Sequence, residues 1–375
     1  MHKNGKGGDV SMIDGLTFDD VLLLPGYTDF KRVDVDLTTR LHPTITLKLP
    51  VISSPMDTVT EEAMARALGK AGGLGIIHRN LTIGAQSAMV EKVKKEGFLV
   101  GGAVGVGNDF EERAKALVNA QADVLVVDSG HGNTKFVIDA VMFIKKKYPH
   151  AVVMAGNVAT ADGAKRLTAA GADILRVGMG PGSICTTRVI TGMGVPQLTA
   201  IAEATRAVKV LRLRSGQATQ VKIVADGGIR QIGDMAKALA AGAHAVMLGS
   251  LLAGFDESPG ELIERSGKKY KAYRGMGSIA AMQKGSAERY GQSRETSGRK
   301  LIAEGVEGLV ANKGAVADYL DQVAGSLKSS FYYIGGRTLN DFQKKATFIR
   351  ITPASMAESH PHSITIVDAG KNYQI

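Results

Sequence analysis

A chain of 375 residues is long enough for one large core, and a single barrel of about 250 residues with insertions would use most of it, although length alone also admits two domains. Hydrophobic residues make up 44% of the chain and 46 glycines stand against 10 prolines, which speaks against disorder and for a packed fold with many tight turns. A formal charge of +10 favours anionic ligands such as nucleotides, and one cysteine excludes an internal disulfide framework and a thiolate zinc cluster, pointing to a reducing, cytoplasmic setting.

Residues 1–13 open with a basic, flexible stretch and read as a leader without the apolar core of a signal peptide. No run reaches the roughly 18 apolar residues of a membrane span. Beyond the leader, apolar β-rich runs predict strands over Leu49–Ser53, Gly73–Ile77, Leu99–Val104, Val124–Asp128, Ala151–Ala155, Ile174–Val177, Lys222–Asp226 and Ala245–Gly249. Helical periodicity fills the gaps, as in Asp109–Ala120, Ala161–Ala170 and Ile232–Ala241. Eight strands alternating with helices predict an α/β fold, a (β/α)8 TIM barrel, over residues 14–375. Ala170-Gly171-Ala172-Asp173 and Ala241-Gly242-Ala243-His244 read as one helix-to-strand turn used twice. Gly101 to Gly105 lacks a clean GxGxxG opening a helix, which argues against a Rossmann half. Residues 258–307, rich in Gly, Ser and charge, exceed an ordinary βα loop and predict a mobile active-site loop and flap, the plainer alternative being an accessory surface insertion. Residues 335–375 form a helical and polar C-terminal segment. The lysines and arginines, such as Lys92, Lys94, Lys95, Lys145 to Lys147, Arg212 and Arg214, are scattered as on solvated faces, not gathered into a polynucleotide-binding stripe.

Polar and glycine-rich signatures follow the strands' carboxyl ends, which share one face in a barrel: Ser53-Ser54-Pro55-Met56-Asp57, Asp128-Ser129-Gly130-His131-Gly132, Gly156-Asn157, Gly178 to Thr187, Asp226-Gly227-Gly228 and Gly249-Ser250. A lone cysteine is usually a small buried hydrophobe. Cys185, however, sits at a strand end in a glycine-rich loop with hydroxyls on both sides, which makes it a candidate nucleophile. Asp226-Gly227-Gly228 and Gly249-Ser250 suit a phosphorylated ligand, with backbone amides on the phosphate and the Asp226 carboxylate on ribose hydroxyls. The plainer alternative is two tight turns, one capped by Asp226. His131 belongs to no zinc-ligand set and reads as a polar loop residue.

The order of these signatures, together with Gly180-Pro181-Gly182-Ser183-Ile184-Cys185-Thr186-Thr187, Tyr273-Arg274-Gly275-Met276-Gly277-Ser278, Arg289-Tyr290, Glu304-Gly305 and Glu358-Ser359-His360-Pro361-His362, resembles the inosine 5'-monophosphate (IMP) dehydrogenase family over nearly the whole catalytic domain. The resemblance implies that Cys185 attacks C2 of IMP, that hydride passes to NAD, and that the covalent purine is hydrolysed to xanthosine 5'-monophosphate (XMP) in guanine nucleotide biosynthesis. It implies Arg289 as the base, Tyr290 fixing the closed flap and Thr187 holding the water. Ser54, Met56, Ser183, Asp226, Gly228, Gly249, Ser250, Tyr273, Gly275, Met276, Gly277 and Glu304 map to the nucleotide pocket, with Glu304 facing the purine edge. Asp128, Ser129, Gly130 and Asn157 map to the cofactor side. Potassium or another monovalent cation is implied between carbonyls of Gly180, Gly182 and Cys185 and a neighbouring chain's Glu358, Ser359 and His360, within a homotetramer.

The chain departs from the family plan in lacking the paired cystathionine-β-synthase (CBS) regulatory modules, since Lys92 to Glu96 leads almost directly to Phe98-Leu99-Val100. It also departs in the basic stretch 209–220, in Gly291 after Arg289-Tyr290, and in Gly130 where animal members often carry serine. Two alternatives remain: GMP reductase, which shares the cysteine loop but not the Arg-Tyr pair, and a catalytically silent nucleotide- or nucleic-acid-binding protein. Neither a membrane nor a nucleic acid is expected as a partner in the main function.

Overall fold

The computed structural model describes residues 12–211, 220–293, 300–368, 370 and 373. Most of the leader expected at 1–13, residues 212–219 of the basic stretch and residues 294–299 of the expected flap lie outside the described residues.

Eight short apolar runs form the centre: β1 (Val51–Ser53), β2 (Leu74–Ile77), β3 (Val100–Val104), β4 (Val124–Asp128), β5 (Val153–Val158), β6 (Ile174–Val177), β7 (Lys222–Asp226) and β8 (Ala245–Leu248). Each pairs in parallel with the next, and β8 returns to β1 with Val246 opposite Val51 and Leu248 opposite Ser53. The sheet therefore closes as the eight-stranded barrel that the sequence predicts. Parallel neighbours need long crossovers, and these are α1 (Glu62–Lys70), α2 (Ile83–Lys95), α3 (Phe110–Asn119), α4 (Lys135–Lys147), α5 (Ala161–Ala170), the short α6 (Thr187–Thr191) with α7 (Gln197–Val210), and α8 (Ile232–Ala240). In α4, Val137, Ala140, Val141 and Ile144 are buried at helical spacing, while Lys146 and Lys147 at its end are exposed. From α2 the chain enters β3 through residues 96–99 alone, so no separate module stands between them.

Strand alternation divides the core into two layers. Ile52, Ile76, Val126, Met154, Val224 and Met247 fill the barrel interior, and a hairpin of Thr39–His42 with Ile45–Leu47 adds Leu41, Ile45 and Leu47 to the same cluster. The alternate residues, such as Val51, Ile77, Val104 and Val127, pack outward with the helices. Interior residues of this kind contribute about 1.5–3 kcal/mol each on burial.

The repeated turn has one physical basis. Gly171 (φ +102°) and Gly242 (φ +113°) take the left-handed conformation, and the next amide in each case bonds back five residues, Ala172 to the Leu167 carbonyl and Ala243 to the Ala238 carbonyl, both at 3.1 Å. Each turn then delivers a side-chain acceptor to a neighbouring strand: Asp173 Oδ2 accepts from the Val153 amide (2.8 Å) and His244 Nδ1 from the Ile223 amide (3.2 Å). Burial pushes the His244 pKa down to about 3, so the ring stays neutral and able to accept.

The structure differs from expectation in two places. β5 runs past Ala155 to Val158, carrying Gly156 and Asn157 into the sheet. Residues 258–307 are not one long loop: β9 (Leu262–Arg265), β10 (Lys268–Arg274) and β11 (Glu307–Ala311) form an antiparallel sheet, and the flap proper is confined to the segment between β10 and β11. Lys271 and Tyr273 in β10 are buried at strand spacing, a periodicity hidden by the strand's Lys- and Tyr-rich composition. The C-terminal segment is tied in by Phe348–Arg350, which pairs antiparallel with Val21–Leu23, and continues through a short helix at Pro353–Glu358. Among the described residues no helix is long and apolar enough to cross a membrane.

Candidate functional site

The loop after β6 carries the cysteine over the carboxyl end of the barrel. Gly227 and Gly228, at φ +86° and +76°, let the turn after β7 press against this loop; a Cβ on either would stand about 3 Å from the Pro181 ring. The far end of the flap runs back beside it. Cys185 bridges antiparallel to Gly305, the Thr186 amide donates to the Glu304 carbonyl (3.0 Å), and the Val306 amide donates to the Ile184 carbonyl (3.0 Å). The half-buried Cys185 thiol donates to Thr187 Oγ1 at 3.2 Å, and Thr187 Oγ1 donates to Glu304 Oε2 at 2.8 Å. A thiol, a hydroxyl and a carboxylate thus form one relay able to carry a proton away from sulfur or from a water at the hydroxyl.

Beside the relay lies a buried charge network. Asp128, at the end of β4, is 1% exposed; its Oδ1 accepts from Arg176 Nη1 at 2.5 Å, and it pairs with the Arg289 guanidinium. Arg176 also donates from Nε to Asp226 Oδ2 (2.8 Å), which accepts from Asn157 Nδ2 at 2.7 Å. Asp226 therefore does not cap a turn with its side chain; its carboxylate stays 13% exposed at the mouth. Ser129 is held by its amide to the Gly156 carbonyl (3.1 Å) and by its hydroxyl to the His131 carbonyl (3.1 Å). Arg289 and Tyr290 lie in the 3-10 turn Ala287–Tyr290, docked by the Gly130 amide donating to the Arg289 carbonyl at 2.9 Å. Burial holds the Arg289 pKa below the usual guanidinium range, with the Arg79 cation adding to the fall and Tyr290 opposing it. Burial pushes the Tyr290 phenol up.

The third component is a polar pocket at β8. The Tyr273 hydroxyl hydrogen-bonds with Ser183 and Ser250, and burial pushes its pKa up to about 12 against those bonds. A Cβ on Gly249 would stand 3.2 Å from both the Tyr273 oxygen and the Met56 sulfur, so a side chain at 249 would press on both groups. The Ser54 amide donates to the Leu248 carbonyl (2.9 Å), joining the loop after β1 to the same wall. Gly275, Met276 and Gly277 start the flap: the Gly275 amide donates to the Val306 carbonyl and the Gly277 carbonyl accepts from the Glu304 amide, both at 2.9 Å, while the Met276 carbonyl accepts from the Ser286 hydroxyl at 2.5 Å. Of the residues assigned to a cation, Gly180 has φ +75° and the Gly182 carbonyl accepts from the Cys185 amide (3.1 Å). Glu358, Ser359 and His360 lie in the tail, where Ser359 bonds to Ser355 and His360 Nδ1 contacts the Tyr373 hydroxyl at 2.8 Å.

Sequence reasoning missed Arg79, Arg176 and the Asp57–Arg274 pair. Arg274 grips Asp57 through Nε (3.1 Å) and Nη2 (2.6 Å); burial disfavours the ionised carboxyl, yet these bonds and one from Asn80 hold its pKa below the usual range. Arg176 carried a legible signal, a lone guanidinium within the apolar run Ile174-Leu175-Arg176-Val177. Arg176→Met is expected to lower stability by about 3–5 kcal/mol, because it leaves Asp128 and Asp226 without their shared cation. Chemical denaturation checks this, and an unchanged midpoint would show that the two carboxylates do not depend on Arg176.

Residues 15–362 match the family model described as the IMP dehydrogenase / GMP reductase domain. The inosine-5'-monophosphate dehydrogenase of Borreliella burgdorferi is 42% identical, with 94% of this chain and 97% of that protein covered. Those of Rhizobium tropici and Aquifex aeolicus are each 38% identical, covering 94% and 96% of this chain and 95% and 98% of their own lengths. The latter two alignments span 481 and 491 positions, more than the 375 residues here, so these relatives carry sequence that this chain lacks. With the barrel, the cysteine loop and the flap on one face, and with similarity running through nearly all of its length, the chain belongs to the IMP dehydrogenase / GMP reductase family.

Proposed function

We propose that this chain oxidises IMP to XMP with reduction of NAD, residues 14–375 acting as one catalytic unit with Cys185 as the nucleophile. The observation that carries the reading is the relay from the Cys185 thiol through Thr187 to Glu304, lying under a flap that brings Arg289 onto Asp128. The thiolate adds to C2 of the purine, making that carbon tetrahedral, and hydride then leaves C2. NAD, when bound, supplies the nicotinamide that accepts this hydride. Water attacks the same carbon, Arg289 or the Thr187–Glu304 pair takes its proton, and the C2–S bond breaks to return the thiol and release XMP.

Asp128 Oδ2 is buried without a hydrogen-bond partner, Ser129 and Gly130 follow it in the chain, and the Asn157 amide donates to the Ser129 carbonyl at 2.9 Å. That donor set suits the ribose hydroxyls of a dinucleotide, whose binding requires Arg289 to give up the carboxylate. Flap and cofactor therefore alternate at Asp128. Ser183, Ser250, Tyr273 and the amides at Gly228 and Gly249 suit the phosphate of IMP, while Ser54, Met56, Asp226, Gly275, Met276 and Gly277 close the rest of the nucleotide pocket. Glu304 faces the relay as well as the purine edge. The choice over GMP reductase rests on Arg289, which a reductive deamination does not need. Purified protein is expected to form NADH from IMP and NAD, and consumption of NADPH with GMP instead would reverse the assignment.

A cyclic homotetramer completes the cation site in this reading. Val189 (85% exposed), Ile190 (52%) and Met193 (60%) follow the cysteine loop and offer apolar surface to a neighbouring copy. Potassium is expected to bind the carbonyls of Gly180, Gly182 and Cys185 with Glu358, Ser359 and His360 of that copy, in a reducing cytoplasm. Activity should rise in potassium relative to sodium or lithium at equal ionic strength, and truncation before Glu358 should weaken the response. Equal activity in all three salts, with a monomer in light scattering, would rule the site out.

A further inference from the structure

Arg79 follows β2 and is 8% exposed, yet none of the chemistry above uses it. Its Nε stands 3.9 Å from Asp128 Oδ2, whereas Arg289 meets Oδ1, and its Nη1 donates to the flap carbonyl of Gly285 at 3.3 Å. Nε and Nη2 have no hydrogen-bond partner although both are buried. Three guanidiniums, those of Arg79, Arg176 and Arg289, thus converge on one carboxylate, two of them anchored in the barrel and one delivered by the flap.

We propose that Arg79 is a positioning residue for the hydrolytic half of the reaction: it ties the docked flap to the barrel through Gly285 and places a second cation on Asp128, which prepares Arg289 to take a proton from water. The inference rests on the reading of Arg289 as a base. A guanidinium can act so only when neutral, and a cation fixed nearby in a water-poor site disfavours its charged form. The charged and titratable groups facing this region are Asp128 from β4, Arg176 from β6, Tyr290, Glu288 and Lys284 from the flap, Asp109 before α3 and Arg113 within it. Glu288 and Asp109 favour the charged form of Arg79 and Arg113 opposes it, whereas Tyr290 and the paired Asp128 carboxylate favour the charged form of Arg289; Arg79, which shares that carboxylate, is the neighbour that opposes it.

Arg79→Met should fit sterically, because Arg79 lines a cavity of about 550 Å³ with Asp109, Arg113 and Glu288. Rates are read per active site, counted from the amplitude of the first NADH burst, so unfolded molecules drop out. The burst rate is expected to stay within about twofold while steady turnover falls about tenfold. The pH at which turnover reaches half its alkaline plateau should rise by about one unit, since losing Arg79 restores proton affinity to Arg289. Hydrogen exchange over residues 282–290 should quicken in the ligand-free protein, and Arg79→Lys, which keeps the cation, should recover most of the pH shift. An unshifted pH profile, or a burst that slows as much as turnover, overturns the proposal. Failure of the underlying reading shows separately, as equal loss of burst and turnover in Arg289→Ala.

Discussion

Replacing Cys185 by alanine is expected to leave IMP binding measurable while NADH formation falls by at least about three orders of magnitude. The asymmetry follows from where the contacts lie. In the proposed reading Ser183, Ser250 and Tyr273 take the phosphate and Asp226 the ribose, and the contacts that hold these side chains, Tyr273 with the two serines and Asp226 with Asn157, do not involve the sulfur. The chemical step has no substitute, because the sequence contains one cysteine. Cys185→Ser should fail as well: a hydroxyl at this position would still hydrogen-bond to Thr187 but is a far weaker nucleophile toward an aromatic carbon. Calorimetric titration of IMP alongside single-turnover absorbance separates the two effects. Near-normal NADH production by the alanine variant would remove Cys185 from the mechanism.

Arg289→Ala is expected to divide the reaction at its midpoint. Hydride transfer should survive if, as proposed, the flap leaves Asp128 to the cofactor in that step, and the first turnover should appear as a burst of NADH. Steady turnover should then fall by about 100-fold or more, with a purine adduct accumulating on Cys185 that mass spectrometry of the quenched protein would detect. The Thr187–Glu304 pair is placed to support the residual hydrolysis, since Thr187 Oγ1 is bonded to Glu304 Oε2 at 2.8 Å and to the thiol at 3.2 Å. Tyr290→Phe should be milder, because it removes a hydroxyl without disturbing the Gly130 amide that donates to the Arg289 carbonyl. Equal loss of burst and steady rate in Arg289→Ala would instead make it a residue of binding or closure. A substitution at Asp128 should weaken both cofactor affinity and flap docking, since the same carboxylate serves each in turn.

The barrel was legible in the sequence because its determinants are local. Runs such as Val124-Leu125-Val126-Val127 and Ile223-Val224-Ala225 specify buried parallel strands, and Gly171 and Gly242 mark turns that a residue with a Cβ resists. The cysteine loop and the flap's Arg-Tyr pair were legible for a different reason, as ordered signatures resembling a family. Tertiary structure alone decided which charges meet. Nothing near Arg79 or Arg176 in the sequence says that both point at Asp128, because that convergence depends on strands β2, β4 and β6 being brought around one closed barrel. Nor does the sequence near Glu304 say that its carboxylate ends on Thr187, a bond that joins the flap's far end to the cysteine loop. The flap's antiparallel base was hidden in the same way: Lys268 to Arg274 carries too many charges to announce a strand, and only pairing with β9 and β11 buries Lys271 and Tyr273. Apolar periodicity is written residue by residue, whereas a buried charge network is stable only when partners from distant segments arrive together, and that condition is met by the fold as a whole.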